Sequence, residues 1–151
     1  TDIITGQTKE YNINGWSESV SPDGRYALFR KVSNQQVLPR LYLFDLQTEQ
    51  ENKVNGLPVG YNFNTDGAWS SDGKRYAFYA NGEEQINKNN KVYRDNILLV
   101  VLDSSNMTIT SYGKPDVKAT LYPLAHLKWV DANTIINYLD DDTAWIATVS
   151  K

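Results

Sequence analysis

The sequence contains no cysteine, one histidine and one methionine among its 151 residues. Without cysteine there is no disulfide framework, no thiolate metal site and no thiol nucleophile. His126 is the single imidazole, and no Gly-x-Ser-x-Gly elbow supplies a serine for it, so a hydrolytic triad lacks its parts. Long apolar runs are missing too: Ile97-Leu98-Leu99-Val100-Val101-Leu102 has strand length, far short of the roughly eighteen residues that cross a bilayer. Charge of one sign is equally absent. Fifteen basic residues are interspersed with eighteen acidic ones for a net −3, which offers no basic stripe to nucleic acid or to a membrane surface. No glycine-rich phosphate loop or dinucleotide fingerprint occurs, so no cofactor is expected.

What the chain has in quantity is aromatic side chains: ten Tyr, four Trp and four Phe. Tyr and Trp suit strands whose side chains lie half buried on a pleated surface. Helix formers are sparse, and Asn, Asp, Ser, Thr and Gly separate short apolar runs, which points to an all-β chain. The chain opens directly on Thr1-Asp2-Ile3-Ile4 without a signal pattern, as an excised domain would. Freedom from cysteine with abundant Asn and Tyr leads us to expect an extracytoplasmic, bacterial protein, secreted or anchored at the cell surface.

An internal repeat organises the sequence. Ser21-Pro22-Asp23-Gly24-Arg25-Tyr26-Ala27-Leu28-Phe29 aligns without gaps on Ser70-Ser71-Asp72-Gly73-Lys74-Arg75-Tyr76-Ala77-Phe78, displaced by 49 positions. A weaker third copy runs from Trp129-Val130-Asp131-Ala132-Asn133 into Thr134-Ile135-Ile136-Asn137-Tyr138. Each copy reads as a hairpin: a short strand, a tight turn on Asp-Gly or Ala-Asn with a residue of positive φ, and a return strand rich in Tyr, Phe and Ile. A third strand follows in each (41–46, 97–102, 145–149), the middle one apolar enough to be buried on both faces. More polar fourth strands are expected near 51–54 and 107–111.

The Ser-Pro-Asp-Gly-Arg-Tyr-Ala-Leu-Phe and Trp-Ser-Ser-Asp-Gly-Lys-Arg-Tyr-Ala-Phe segments resemble the repeat signature of TolB-type β-propellers and of the propeller domains of prolyl oligopeptidase-type enzymes. Leu41-Tyr42-Leu43-Phe44-Asp45-Leu46-Gln47-Thr48 is similar to the third strand and exit turn of that repeat. Asp2 through Tyr11 resembles the end of a preceding blade. The resemblance implies one all-β domain over 1–151 of antiparallel meander units, about three blades at 16–60, 66–118 and 124–151, with 1–13 as a part-blade. Three units are too few for a closed ring of four to eight blades. The array is therefore expected to be partial or open, or completed as a homodimer by strand exchange.

Chemistry has few candidates. Asp140-Asp141-Asp142 could offer oxygens to a hard cation, yet its spacing does not fit a calcium loop, and three acidic residues in a solvated hairpin turn need no such role. No catalytic, cofactor or metal residue is therefore assigned. The hydrophilic insertion 81–95 and the aromatics Trp16, Tyr61, Phe63, Tyr93, Tyr112 and Tyr122, in or beside loops, are the candidate binding surface. Trp69, Trp129 and Trp145 are expected between blades. The resulting expectation is a non-catalytic binding or scaffold module, not an enzyme, with a protein partner. An accessory propeller segment of an exported peptidase and a carbohydrate-binding module are the alternatives.

Overall fold

The computed structural model describes residues 9–31, 40–58, 60–82, 85–86, 92–93, 97–112, 126–138 and 144–149. Thirteen strands are present among them and no helix: β1 (Trp16–Val20), β2 (Tyr26–Lys31), β3 (Arg40–Asp45), β4 (Gln50–Lys53), β5 (Asn62–Trp69), β6 (Arg75–Asn81), β7 (Gln85–Ile86), β8 (Val92–Tyr93), β9 (Ile97–Asp103), β10 (Thr108–Tyr112), β11 (His126–Asp131), β12 (Thr134–Tyr138) and β13 (Ala144–Thr148). They form three antiparallel meanders: sheet one is β1-β2-β3-β4, sheet two is β5-β6-β9-β10, and sheet three is β11-β12-β13. The short pair β7-β8 interrupts sheet two between its second and third strands, inside the hydrophilic insertion.

The repeat is reproduced bond for bond at its first turn. In sheet one the Gly24 N–H donates to the Ser21 carbonyl at 2.9 Å, and Ser21 N to the Tyr26 carbonyl at 2.8 Å. In sheet two Gly73 donates to Ser70 at 2.9 Å, and Ser70 to Arg75 at 2.8 Å. The serine hydroxyl in each case donates to the turn aspartate (2.5 Å to Asp23, 2.6 Å to Asp72) and accepts from the first return-strand amide (Tyr26 at 2.8 Å, Arg75 at 2.9 Å). Gly24 and Gly73 share a φ of +69°, a left-handed conformation that costs any residue with a Cβ.

The third turn closes differently. Asn133 does not adopt positive φ, contrary to the expectation for the Ala-Asn pair. Instead the Asp131 carboxylate accepts from the Asn133 N–H at 2.7 Å, and the register slips between Trp129 and Asp131. The bulge supplies the extra twist that a left-handed residue supplies in the other two.

A second turn repeats as well. Glu49 (φ +57°) and Met107 (φ +59°) end matching four-residue turns that begin after Asp45 and Asp103. Each aspartate accepts from the backbone amide two residues on, Gln47 or Ser105, at 2.9 Å. From Gly24 to Gly73 is 49 positions, while from Glu49 to Met107 is 58. The nine-residue difference is absorbed where β7 and β8 lie.

Alternation on β6 and β9 sends side chains both ways. Tyr76, Phe78, Ala80, Val100 and Leu102 pack with Tyr26, Leu28, Leu41 and Leu43 of sheet one. Ala77, Tyr79, Leu99 and Val101 pack with Leu127, Ile135 and Val149 on the side of sheet three. Sheet two is thus the middle layer, and its third strand is buried on both faces, as its unbroken apolar run implies. Each large side chain so buried contributes about 2 kcal/mol. Trp69 and Trp129 lie at the first and second of these interfaces respectively, as expected.

The remaining face of sheet one is covered locally. Residues 9–13 form no strand there. Tyr11 packs edge-on against Phe44 at 5.7 Å between centroids and donates its hydroxyl to the Leu46 carbonyl at 2.9 Å. Lys9 pairs with Glu49 at 2.6 Å, and Gly15 lies close against Phe29 and Arg30.

Candidate functional site

Antiparallel pairing separates the array into two ends. The tight turns after Ser21, Ser70 and Asp131 and the four-residue turns after Asp45 and Asp103 lie at one, the turn end. Neighbouring sheets meet there in phase: Gly73 sits against the Asp23 carboxylate, and the Arg75 guanidinium lies 4.8 Å from the Trp129 ring centroid. The opposite, open end carries the starts of β1, β3, β5 and β11, the ends of β2, β4 and β10, and the β7-β8 pair.

Three carboxylates at the turn end, Asp45, Asp72 and Asp131, favour the ionised form. Asp72 lies below its ordinary value of 3.8, through the Ser70 hydroxyl foremost and the Lys74 amide and neighbouring cations next. Burial pushes Asp45 upward, but the Gln47 and Thr48 amides and Arg25, 3.2 Å away, together outweigh it and bring it below 3.8. Asp131 is lowered by the Asn133 amide and then by Thr134. These groups are consumed in closing turns, as the sequence reading of the Asp-Gly pairs holds.

The open end collects the candidate aromatics. Trp16 begins β1 and is 59% exposed. Tyr61 precedes β5 and packs partly against the core between sheets one and two. Tyr112 ends β10 and packs partly against the core between sheets two and three. Phe63 pairs with Ala80 in β5, and Tyr93 pairs with Gln85 in β8. Tyr122 and the Asp140-Asp141-Asp142 run lie outside the described residues. His126 begins β11 at this end. The structure therefore gives Trp16, Tyr61, Phe63, Tyr93 and Tyr112 a common end of the array; among those whose side chains it describes, Trp16 alone is exposed.

A row of cations escapes sequence reasoning altogether. Arg30 and Lys31 end β2, Arg40 begins β3 and Lys53 ends β4, all at the open end of sheet one. Trp16 is registered opposite Arg30, on the face toward sheet two, whereas Lys31 opposite Arg40, and Lys53 opposite Tyr42, lie on the other face of the same end. Arg30 is paired with Glu18 and Lys31 with Glu51. Arg40 and Lys53 have no ion-pair partner among the described residues, so this end of sheet one carries excess positive charge. Spaced 9 to 13 positions apart in sequence, Lys31, Arg40 and Lys53 are grouped only by register.

Two buried amides also sit near this end. Asn81, at the end of β6, and Asn137, in β12, are buried, and neither Oδ1 has a hydrogen-bond partner among the described residues. Their alternation places both on the interface between sheets two and three. Among the described residues no three or more His, Asp or Glu side chains group in a way that could hold a metal ion.

No protein-family model matches the sequence, and no curated protein matches it. Solved structures do. An oligogalacturonate lyase in complex with manganese superposes with a TM-score of 0.58 at 15% identity, over 89% of this chain and 35% of the lyase. An oligogalacturonate lyase from Vibrio parahaemolyticus superposes with a TM-score of 0.50 at 13% identity, over 80% of this chain and 32% of that one. TolB from Acinetobacter baumannii aligns over 95% of this chain and 45% of its own at 16% identity, but with a TM-score of 0.32 that carries no argument.

These likenesses overturn one expectation. The folds that this chain matches best above belong to enzymes, so the expectation that it is not an enzyme is withdrawn. That expectation rested on missing linear motifs, whereas a blade array draws its site from side chains on successive sheets, which no short motif records. The chain spans about a third of the length of those lyases. Its fold is of the β-propeller type: three successive blade-like antiparallel sheets without a closed ring.

Proposed function

We propose that the open end of this array binds an acidic oligosaccharide, within a propeller protein that recognises or acts on uronic-acid chains. The observation that carries the reading is that one end of sheet one bears both an exposed indole, Trp16, and two cations without an ion-pair partner among the described residues, Arg40 and Lys53. An indole face stacks on the C–H face of a pyranose, and guanidinium and ammonium groups pair with the uronate carboxylates. The superposition on two oligogalacturonate lyases supports that substrate class. The test is calorimetric titration with an oligogalacturonate of defined length against a neutral oligosaccharide of equal length. Binding of the acidic chain alone, weakened at least tenfold in Trp16→Ala and in Arg40→Glu, is the expected result. Equal binding of both sugars, or of neither, refutes the proposal. Elimination chemistry is followed in the same mixtures by the ultraviolet absorbance of an unsaturated product.

A second reading keeps a protein partner in view, as a module of an exported or surface protein. It is favoured by the exposed Val130 and Ile146 on sheet three, which no part of a sugar site requires. Composition alone supports the extracytoplasmic location, and proteinase accessibility on intact cells tests it.

A further inference from the structure

We propose that the face of sheet three turned away from sheet two is the docking surface for one further antiparallel sheet of the same repeat. The argument rests on three cross-strand pairs that occupy one position of the repeat. Leu28 faces Leu43 in sheet one, Ala77 faces Val101 in sheet two, and Ile136 faces Ile146 in sheet three. Leu28 and Ala77 each stand four residues beyond the turn glycine. Ile136 follows Ile135, the partner of Trp129, as Ala77 follows Tyr76, the partner of Trp69.

The first two pairs are covered by the next sheet. Leu43 is 1% exposed beneath sheet two, and Val101 is 4% exposed beneath sheet three. Ile146, at the same position, is 66% exposed. The half-buried Ile136 continues the apolar face on β12, and the exposed Lys128, registered opposite it, lies at its side. Isoleucine on a solvated sheet face is unfavourable unless something covers it, and a contiguous apolar face marks an interaction surface.

The repeat also specifies the occupant. At both existing interfaces the incoming sheet brings a tryptophan, Trp69 onto sheet one and Trp129 onto sheet two. The Trp129 indole reaches the Ala68 carbonyl, and Lys128 takes the place of Ala68 in the register, opposite Ile136 as Ala68 is opposite Ala77. The docking sheet therefore presents an aromatic face, with an indole packed over the pair of Lys128 and Ile136. A second copy of this chain cannot supply it head to tail, because the corresponding face of sheet one is occupied by Tyr11, packed on Phe44. A further sheet joined to this chain agrees with its spanning about a third of the lyases that share its fold. None of this depends on the saccharide reading.

The absence of cysteine from residues 1–151 makes a single introduced thiol a clean reporter. Ile146→Cys is made in the protein as its gene encodes it, and its maleimide labelling is followed by mass spectrometry of the peptide carrying position 146. Thr110→Cys, on an exposed strand position, sets the open rate, and Val101→Cys sets the covered one. Solution mass is measured by light scattering on the same samples. Labelling of Ile146→Cys about a hundredfold slower than Thr110→Cys, at monomer mass, is expected. Labelling at the Thr110→Cys rate overturns the proposal. Protection that accompanies a dimer and is lost on dilution also overturns it, since the cover is then a second copy.

Discussion

The indole Nε1 of Trp129 donates to the carbonyl oxygen of Ala68 at 2.9 Å, tying the first strand of sheet three to the first strand of sheet two. The Arg75 guanidinium lies over the same ring at 4.8 Å. Trp69 occupies the equivalent place against sheet one, its ring tilted 56° to that of Tyr76 at 5.1 Å between centroids, yet its Nε1 is buried without a hydrogen-bond partner among the described residues. One repeat position thus serves two interfaces, one with a directional bond and one by packing alone.

That contrast yields a paired experiment. Trp129→Phe and Trp69→Phe remove similar apolar volume, but only the first breaks a hydrogen bond. Trp129→Phe is expected to be more destabilising by about 1–2 kcal/mol in urea unfolding. Equal losses would show that the indole bond adds nothing.

The two turn glycines separate backbone strain from packing. Gly24 and Gly73 have the same φ, but a Cβ on Gly24 meets nothing within 4 Å, whereas one on Gly73 lies 2.6 Å from the Asp23 carboxylate. That carboxylate is held in place by the Ser21 hydroxyl and the Arg25 amide. Gly24→Ala should cost about 1 kcal/mol, and Gly73→Ala about 1–3 kcal/mol more. In a double-mutant cycle, Asp23→Ala should relieve the excess at position 73; strict additivity argues against the contact.

Acid should loosen the turn end first. Asp45 and Asp72 have folded-state values below 3.8, so the folded state binds their protons less readily than the unfolded chain does. Their contribution is complete above the unfolded value and is lost as the pH falls below 3.8 through the folded one. Chemical denaturation between pH 6 and pH 2 should therefore show falling stability on the acid side, with a shallower fall in Asp72→Asn. A wild-type slope retained in that variant would remove Asp72 from the explanation.

Asn137 stands where sheets one and two place Phe29 and Phe78, both fully buried. Its own Oδ1 is buried without a partner among the described residues. Asn137→Leu is expected to raise stability by about 1 kcal/mol, because an unsatisfied amide is replaced by apolar volume of similar size. Destabilisation would instead mean that the amide is engaged, and titration of ligands against this variant would then be informative.

The hairpins were legible in the linear sequence because turn geometry is a local property. Asp-Gly at positions 23–24 and 72–73 requires nothing beyond a residue tolerant of positive φ and a carboxylate to cap the turn. The double burial of the strand at 97–102 was legible for a similar reason, since an apolar residue at every position leaves no face for water. Sequence also announced that aromatics would matter, but it could not say that Trp16 is exposed while Tyr61 and Tyr112 lean into the cores. The same limit hid the β7-β8 pair, whose few apolar residues are scattered through a polar stretch, and the conformation of Asn133, where a bulge after Trp129 replaced the expected left-handed residue.

By itself, then, the sequence determined an all-β meander with a repeating turn chemistry, because strand period and turn propensity act over a few residues. Tertiary structure alone decided the rest. Strand register brought Trp16, Arg30, Arg40 and Lys53 to one end of sheet one, and sheet stacking determined that Leu43 and Val101 are covered while Ile146 is not. Those outcomes depend on which strands pair and which faces meet, contacts between residues too far apart in sequence for local preference to specify.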